Sequence, residues 1–203
     1  MRLVKICDIA DVNPSRQFMQ TYHDELVPFV PMESVDEQTG TVRHAYQKPY
    51  GEVSKGYTYF ENGDIIFAKI TPCMQNGKSA IIEGLKQGFG FGSTEFIVIR
   101  PKRVVYRKWI FHFIRSKEFR TEAENNFSGS AGQQRVPVDF VKNKLVPLPD
   151  KDGDIERLVS RIETNLAHVE AMRQAALKQV EGIESLSAAI LREAFDFGKD
   201  ETE

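Results

Sequence analysis

From residue 154 to about residue 194 the chain keeps a single helical period. Ile155, Ile162, Val169, Ala176, Ile183 and Ile190 fall seven apart, and all are apolar. Two flanking columns broaden the stripe: Leu158, Met172 and Leu186 in one, Val159, Leu166 and Val180 in the next. A sustained seven-residue apolar repeat predicts a helix whose seam faces another helix. Asn165 and Gln179 interrupt the first flanking column, which fixes register at some cost in stability. Roughly 40 residues rising about 1.5 Å each make a rod of about 60 Å. That exceeds what one small domain needs, so the stripe is expected to be buried on a second helix.

The first 150 residues have a different texture, with short apolar runs punctuated by Gly and Pro. Residues 29–31, 64–70, 79–82 and 95–99 read as strands. Residues 105–124 read as one helix, because Tyr106, Trp109, Ile110, Phe113 and Ile114 recur at spacings of three and four. Residues 126–132 form a loop, and 137–149 hold a helical turn followed by a Leu-Val strand between prolines. The alternating glycines of GFGFG (Gly88, Gly90, Gly92) predict a tight turn. They are not a nucleotide loop, since a strand and not a helix follows. The pattern as a whole is α+β: a mixed domain over 1–150, a long helix over 151–196 and an acidic disordered tail over 197–203.

Composition narrows the function. The 203 residues are 41% hydrophobic and 28% charged, as in a chain that buries a real core. The net charge of −2 excludes a strongly basic protein that coats nucleic acid. The charge is uneven, however: residues 61–150 carry +5 and residues 151–203 carry −5. No apolar run approaches the roughly 18 residues of a membrane span. Acids come too early in MRLVKICDIADVNPSR for a signal peptide. Two cysteines, Cys7 and Cys73, fit a reducing cytoplasm and offer no disulfide framework.

A catalytic centre is not visible. His23, His44, His112 and His168 are scattered and make no metal-ligand spacing. There is no G-x-S-x-G elbow and no phosphate-cradling G-x-x-x-x-G-K-[ST] loop. Three loops instead collect hydrogen-bonding side chains. Lys69, Thr71, Gln75, Asn76 and Lys78 lie in AKITPCMQNGKS. Ser93, Thr94 and Glu95 lie in GSTE, and Ser128, Ser130, Gln133, Gln134 and Arg135 in FSGSAGQQRV. Asn and Gln pair bidentately with adenine, and Arg and Lys with guanine. Ser, Thr and the backbone amides exposed by Gly129 and Gly132 suit phosphates. Turn chemistry alone explains the same residues, and composition leaves both readings open.

These segments, in this order, resemble a known family. GDIIFAKITPCMQNGKSAI, then GFGSTEFIVIRP, then GSAGQQRVPVDFVKNKLVPLP and a long helix are similar to the specificity subunit of type I restriction-modification systems. The resemblance covers nearly the whole chain and looks like a half-length form with one target-recognition domain. One departure is VPLPDKDGDIERLV, which lacks the Glu-Gln of the family's Leu-Pro-Pro-Leu-x-Glu-Gln run.

The resemblance implies a mixed α/β target-recognition domain followed by a coiled-coil helix, in a non-catalytic, cytoplasmic subunit. Its partners would be double-stranded DNA, an adenine-N6 methyltransferase subunit and a restriction subunit. S-adenosylmethionine, ATP and Mg would belong to those partners, with no cofactor in this chain. The candidate DNA-binding residues are Lys69, Thr71, Gln75, Asn76, Lys78, Ser93, Thr94, Ser130, Gln133, Gln134 and Arg135. The candidate helix contacts are Ile155, Ile162, Leu166, Val169, Met172, Ala176, Ile183 and Ile190. Antiparallel pairing of two copies would give an inverted-repeat target with two half-sites. A coiled-coil protein-interaction adaptor and the recognition subunit of a related anti-phage system are the alternatives.

Overall fold

The structure is a computed structural model that describes residues 1–16, 23–130 and 133–195. In chain order it runs β1 (Arg2–Lys5), α1 (Ile6–Ile9), β2 (Ala10–Val12), β3 (Leu26–Val30) and β4 (Tyr46–Pro49). Next come α2 (Tyr50–Val53), β5 (Thr58–Glu61), β6 (Ile65–Ala68), β7 (Ser79–Ile81), β8 (Phe89–Gly92) and β9 (Phe96–Pro101). Helices α3 (Val104–Arg115), α4 (Lys117–Asn125) and α5 (Val138–Asn143) precede β10 (Leu145–Leu148) and α6 (Asp152–Phe195). The chain divides into two compact units, Met1–Glu156 and Arg157–Glu203. The mixed domain followed by a long helix is the α+β arrangement expected. The acidic tail expected over 197–203 lies outside the described residues.

Two four-stranded sheets build the first unit, ordered β2-β9-β6-β7 and β4-β3-β8-β5. Their facing sides share a core: Val30 and Phe60 from the second sheet meet Ile66, Ala80, Phe96 and Val98 from the first. The far side of the first sheet is covered by α3 and α4, with the Phe67 and Phe119 rings edge-to-face at 5.7 Å. Strands β6 and β9 are therefore buried on both faces, which is why IIFA and FIVI are continuous apolar runs without alternation. A separate pair, β1 with β10, is tied to α3 by the Trp109 indole N–H donating to the Pro147 carbonyl at 2.9 Å.

Two expectations are corrected. The helix over 105–124 is two helices. Ser116 is extended (φ −62°, ψ 150°), and its hydroxyl accepts from the Phe119 amide, capping α4. The apolar period passes through the break, so periodicity alone missed it. GFGFG is also not merely a turn: Gly88 turns with φ +80°, and Phe89–Gly92 is a buried strand. Its glycines are steric. A Cβ on Gly92 would lie 2.5 Å from the Val30 carbonyl oxygen, where β3 and β8 run parallel. Phe89 and Phe91 fill the opposite face with Val27, Phe29 and Val53.

The second unit is the body of α6, a 44-residue helix whose rise is about 66 Å. Val169, Met172, Ile183, Leu186 and Ile190 all stand more than half exposed along it. No helix among the described residues is long and apolar enough to cross a membrane.

Candidate nucleic-acid interface

Three loops far apart in sequence meet at one edge of the first unit, and backbone hydrogen bonds weld them together. The Lys69 amide donates to the Glu95 carbonyl at 2.9 Å, and the Val136 amide to the Lys69 carbonyl at 2.9 Å. The Thr71 amide reaches the Gln134 carbonyl at 3.1 Å. Ser128 and Arg135 exchange amide and carbonyl bonds at 3.0 and 2.9 Å. The polar segments after β6, after β8 and after α4 are thus a single platform.

Side chains lock it further. The Arg135 Nε and Nη2 grip the Glu95 carboxylate at 2.9 and 2.7 Å, and Nη1 donates to the Gln133 carbonyl at 2.9 Å. Hydrogen bonding from Arg135 holds the Glu95 carboxyl below the ordinary carboxylate range, against the opposing effect of burial. Sequence reading placed Glu95 in the polar GSTE loop without giving it a role. Its partner lies 40 residues away, so only the fold reveals the pair. A lowered carboxyl pKa stabilises the fold above the ordinary Glu value, about 4.3. That contribution disappears as pH falls through the lowered value. Glu95→Gln should therefore flatten the acid limb of a Tm-against-pH curve, by no more than about 2–4 °C because the pair is part exposed. An unchanged acid limb would show that the pair contributes nothing.

The other candidates divide by position. Thr94, Ser130 and Gln133 are exposed on the platform, and Lys69, Thr71, Gln134 and Arg135 are half-buried within it. The Ser93 hydroxyl accepts from the Glu95 amide at 3.2 Å, so it shapes the turn. Gln75, Asn76 and Lys78 lie on the following turn, and the Gln75 and Lys78 side chains are engaged elsewhere. Gln75 donates to the Glu124 carboxylate, and its carbonyl accepts from Arg120 at 2.7 Å. The Asn76 amide donates to the Pro72 carbonyl at 3.0 Å. The Lys78 ammonium donates to the Met32 carbonyl at 3.3 Å and lies 3.6 Å from Glu37. Gly132 lies outside the described residues. No group of three or more His, Cys, Asp or Glu suited to a metal occurs among the described residues.

On α6, Ile155 is buried within the first unit and Ile162 is half-buried. Leu166, Val169, Met172, Ile183 and Ile190 are exposed, and Ala176 lies among them on the same seam. Large apolar side chains thus stand exposed in a row along this seam.

No family model matches the chain. It is 34% identical over 184 residues to the type I restriction enzyme EcoAI specificity subunit of Escherichia coli, a match covering 90% of this chain and 31% of that protein. It is 33% identical over 189 residues to the EcoEI specificity subunit of the same organism, covering 93% and 31%. A chain from a structural study of the assembly and conformational transition of the type I R-M system superposes with a TM-score of 0.79 at 21% identity, covering 100% of this chain and 51% of that one. The HsdS subunit from Thermoanaerobacter tengcongensis gives 0.69 at 20% identity, covering 99% and 51%. The chain therefore spans about a third of the length of the curated relatives, at 31%. The structural matches establish the fold, a mixed α/β domain with a long helix.

Proposed function

Because this chain belongs to the family of type I restriction-enzyme specificity subunits, we propose that it supplies sequence recognition, and no catalysis of its own, to a cytoplasmic restriction-modification complex. The welded platform reads one half-site of double-stranded DNA. Methyl transfer to adenine N6 and ATP-driven cleavage fall to partner subunits, which would bring S-adenosylmethionine, ATP and Mg. The observation that carries this reading is identity of about one third to two specificity subunits over 90% or more of the chain. The platform supports it physically, since rigid elements hold exposed Thr94, Ser130 and Gln133 beside Lys69 and Arg135. The exposed seam of α6 supports pairing of two copies, with an inverted-repeat target as the consequence.

Affinity capture of the tagged chain from its native cells tests the reading. A DNA-adenine methyltransferase should co-purify in near-stoichiometric amount. The complex should then select an inverted repeat from random duplexes, with affinity falling steeply as salt rises. Capture without a methyltransferase, together with salt-insensitive and unselective DNA binding, would establish the adaptor alternative instead.

Arg135 has two roles to separate. As a base reader, its loss should cost roughly ten- to hundred-fold on the selected site and little on random DNA. As a mere tie to Glu95, it should behave as Glu95→Gln does. The informative comparison is Arg135→Ala against Glu95→Gln in duplex-binding titrations. Arg135→Ala should lose selectivity and Glu95→Gln should keep most of it. Equal losses would assign Arg135 to the scaffold.

A further inference from the structure

Beside the platform, within the first unit, lies an open cleft of about 340 Å³. Arg16, Tyr57, Tyr59, Lys69, Phe91 and Thr94 are among its lining residues, and no carboxylate is among the described residues that line it. Lys69 and Thr94 belong to the platform as well, so cleft and platform share a wall. The remaining members come from the chain after β2, from β5 and the residue before it, and from β8. Sequence reading singled out none of them.

The lining has a defined chemistry. The Arg16 guanidinium stacks 4.9 Å from the Tyr50 ring centre and lies 5.5 and 5.9 Å from those of Phe91 and Tyr59. Such stacking holds a guanidinium in place while leaving its edge N–H groups to donate. One of them donates to the Ser54 carbonyl at 3.2 Å, and no carboxylate among the described residues pairs with Arg16. The Lys69 ammonium likewise has no hydrogen-bond partner among the described residues. Tyr57 is 41% exposed, and Phe29 holds its ring edge-on at 5.0 Å. Glu95, which acts electrostatically on Lys69, is already gripped by Arg135, and Glu61 already accepts from the Tyr59 hydroxyl and Arg100. The two cations, an exposed aromatic ring and the Thr94 hydroxyl suit an anion attached to a flat ring. The volume sits at the small end of ligand sites, roughly 300–1,000 Å³, and admits one such unit but not a duplex.

We propose that this cleft binds a single nucleotide unit, its phosphate held by Arg16 and Lys69 and its base stacked on Tyr57. The unit is either one nucleotide of DNA engaged at the platform or a free mononucleotide. The first source rests on the DNA-recognition reading above, and the second does not. Stacking tolerates any base because every base has a π-face, so the cleft contributes grip more than sequence choice.

The test titrates the full chain with each of the four deoxynucleoside 5′-monophosphates, followed by calorimetry. Saturable binding is expected. It should weaken by about tenfold or more in Arg16→Gln and in Tyr57→Ala, and stay unchanged in Lys86→Gln on a distant turn. Thermal melts confirm that each variant folds. Inorganic phosphate alone should bind more weakly than any nucleotide, and equal binding would overturn the stacking role and the proposal with it. Absence of saturation below about 10 mM, or variants that bind as the parent does, would also overturn it. A second titration with the selected duplex separates the sources. Loss in Arg16→Gln on both probes assigns the cleft to DNA, and loss on the mononucleotide alone assigns it to free nucleotide. If the parent chain shows no selective duplex binding yet takes up mononucleotides, the DNA-recognition reading fails and the cleft assignment stands. If the duplex binds selectively and the cleft variants change nothing, the cleft assignment fails alone.

Discussion

Ile183→Asp is expected to convert the proposed dimer of the 23.1 kDa chain into a monomer. Ile183 lies on the long apolar column of α6 and is 66% exposed in the single chain. Its neighbours on the seam, Ala176 and Ile190, lie one heptad away on either side. In a paired rod, an aspartate there would be desolvated against a facing apolar stripe with no cation to meet it. The single helix would lose little, since the side chain already faces water. The variant should therefore fold normally and fail only in association. Light scattering at micromolar concentration reads the mass, and circular dichroism verifies the helix. Glu181→Ala, off the seam on the same helix, should remain dimeric.

The effect on DNA should exceed the effect on either half-site. If two copies pair through the rod as proposed, a two-part target is bound with the second contact made intramolecular, and losing the link should cost about 10²–10⁴ in affinity for the inverted repeat. Binding to an isolated half-site should be unaltered. A variant that stays dimeric, or a monomer with undiminished affinity for the full repeat, would remove the seam from the function. The methyltransferase subunit would then be the element to test against the exposed face.

How much of this was legible beforehand depended on whether the signal was local. The heptad of α6 was, because a seven-residue period over about 40 residues has no other explanation. Strands β6 and β9 were too, since burial on both faces makes them unbroken apolar runs. The break at Ser116 was hidden because the helices on either side keep one apolar face. Strand β8 was hidden because its glycines are selected by the Val30 carbonyl and the Phe60 ring, both distant in sequence. β1, β2, β4 and β5 are three or four residues long and carry too few positions for a period to register.

The site divides in the same way. The residue types and the three loops could be read, since Gly, Ser, Asn and Gln mark turns and hydrogen bonding alike. Their convergence could not, because it is made by Lys69 to Glu95, Thr71 to Gln134 and Ser128 to Arg135, pairings set by the sheet order. Nor could the fate of Lys78, whose ammonium turns to the Met32 carbonyl and away from the platform. Arg16 and Tyr57 carried no motif at all.

Among the described residues few polar side chains are buried, and Asp64, with Ser34 and Ser79, is one of them. It sits 1% exposed on the turn where the chain passes from β5 in one sheet to β6 in the other. Its carboxylate accepts from the Arg100 Nε and Nη2, both at 2.8 Å, and from the Glu61 amide at 2.8 Å. Arg100 also reaches Glu61 at 2.9 Å, and the Tyr59 hydroxyl donates to the same Glu61 at 2.9 Å. Hydrogen bonding to Asp64 raises the Arg100 pKa still further, more than burial lowers it. Asp64→Ala would strand a half-buried guanidinium on one remaining partner and leave a turn amide without an acceptor. Breaking such a pair costs about 3–5 kcal/mol, with the lower end expected because Glu61 remains. In a chain of this size that is a fall in Tm of roughly 6–15 °C. Asp64→Asn should lose less, since its amide oxygen can still accept from the Glu61 backbone. The consequence reaches the site, because β5 carries Tyr59 into the cleft and β6 delivers Lys69 to the platform. Selectivity on the inverted repeat should therefore fall in Asp64→Ala at temperatures well below its own melting point. A variant that melts within about 2 °C of the parent would show that the turn holds its shape without the ion pair, and the two sheets would then owe their alignment to the apolar core alone.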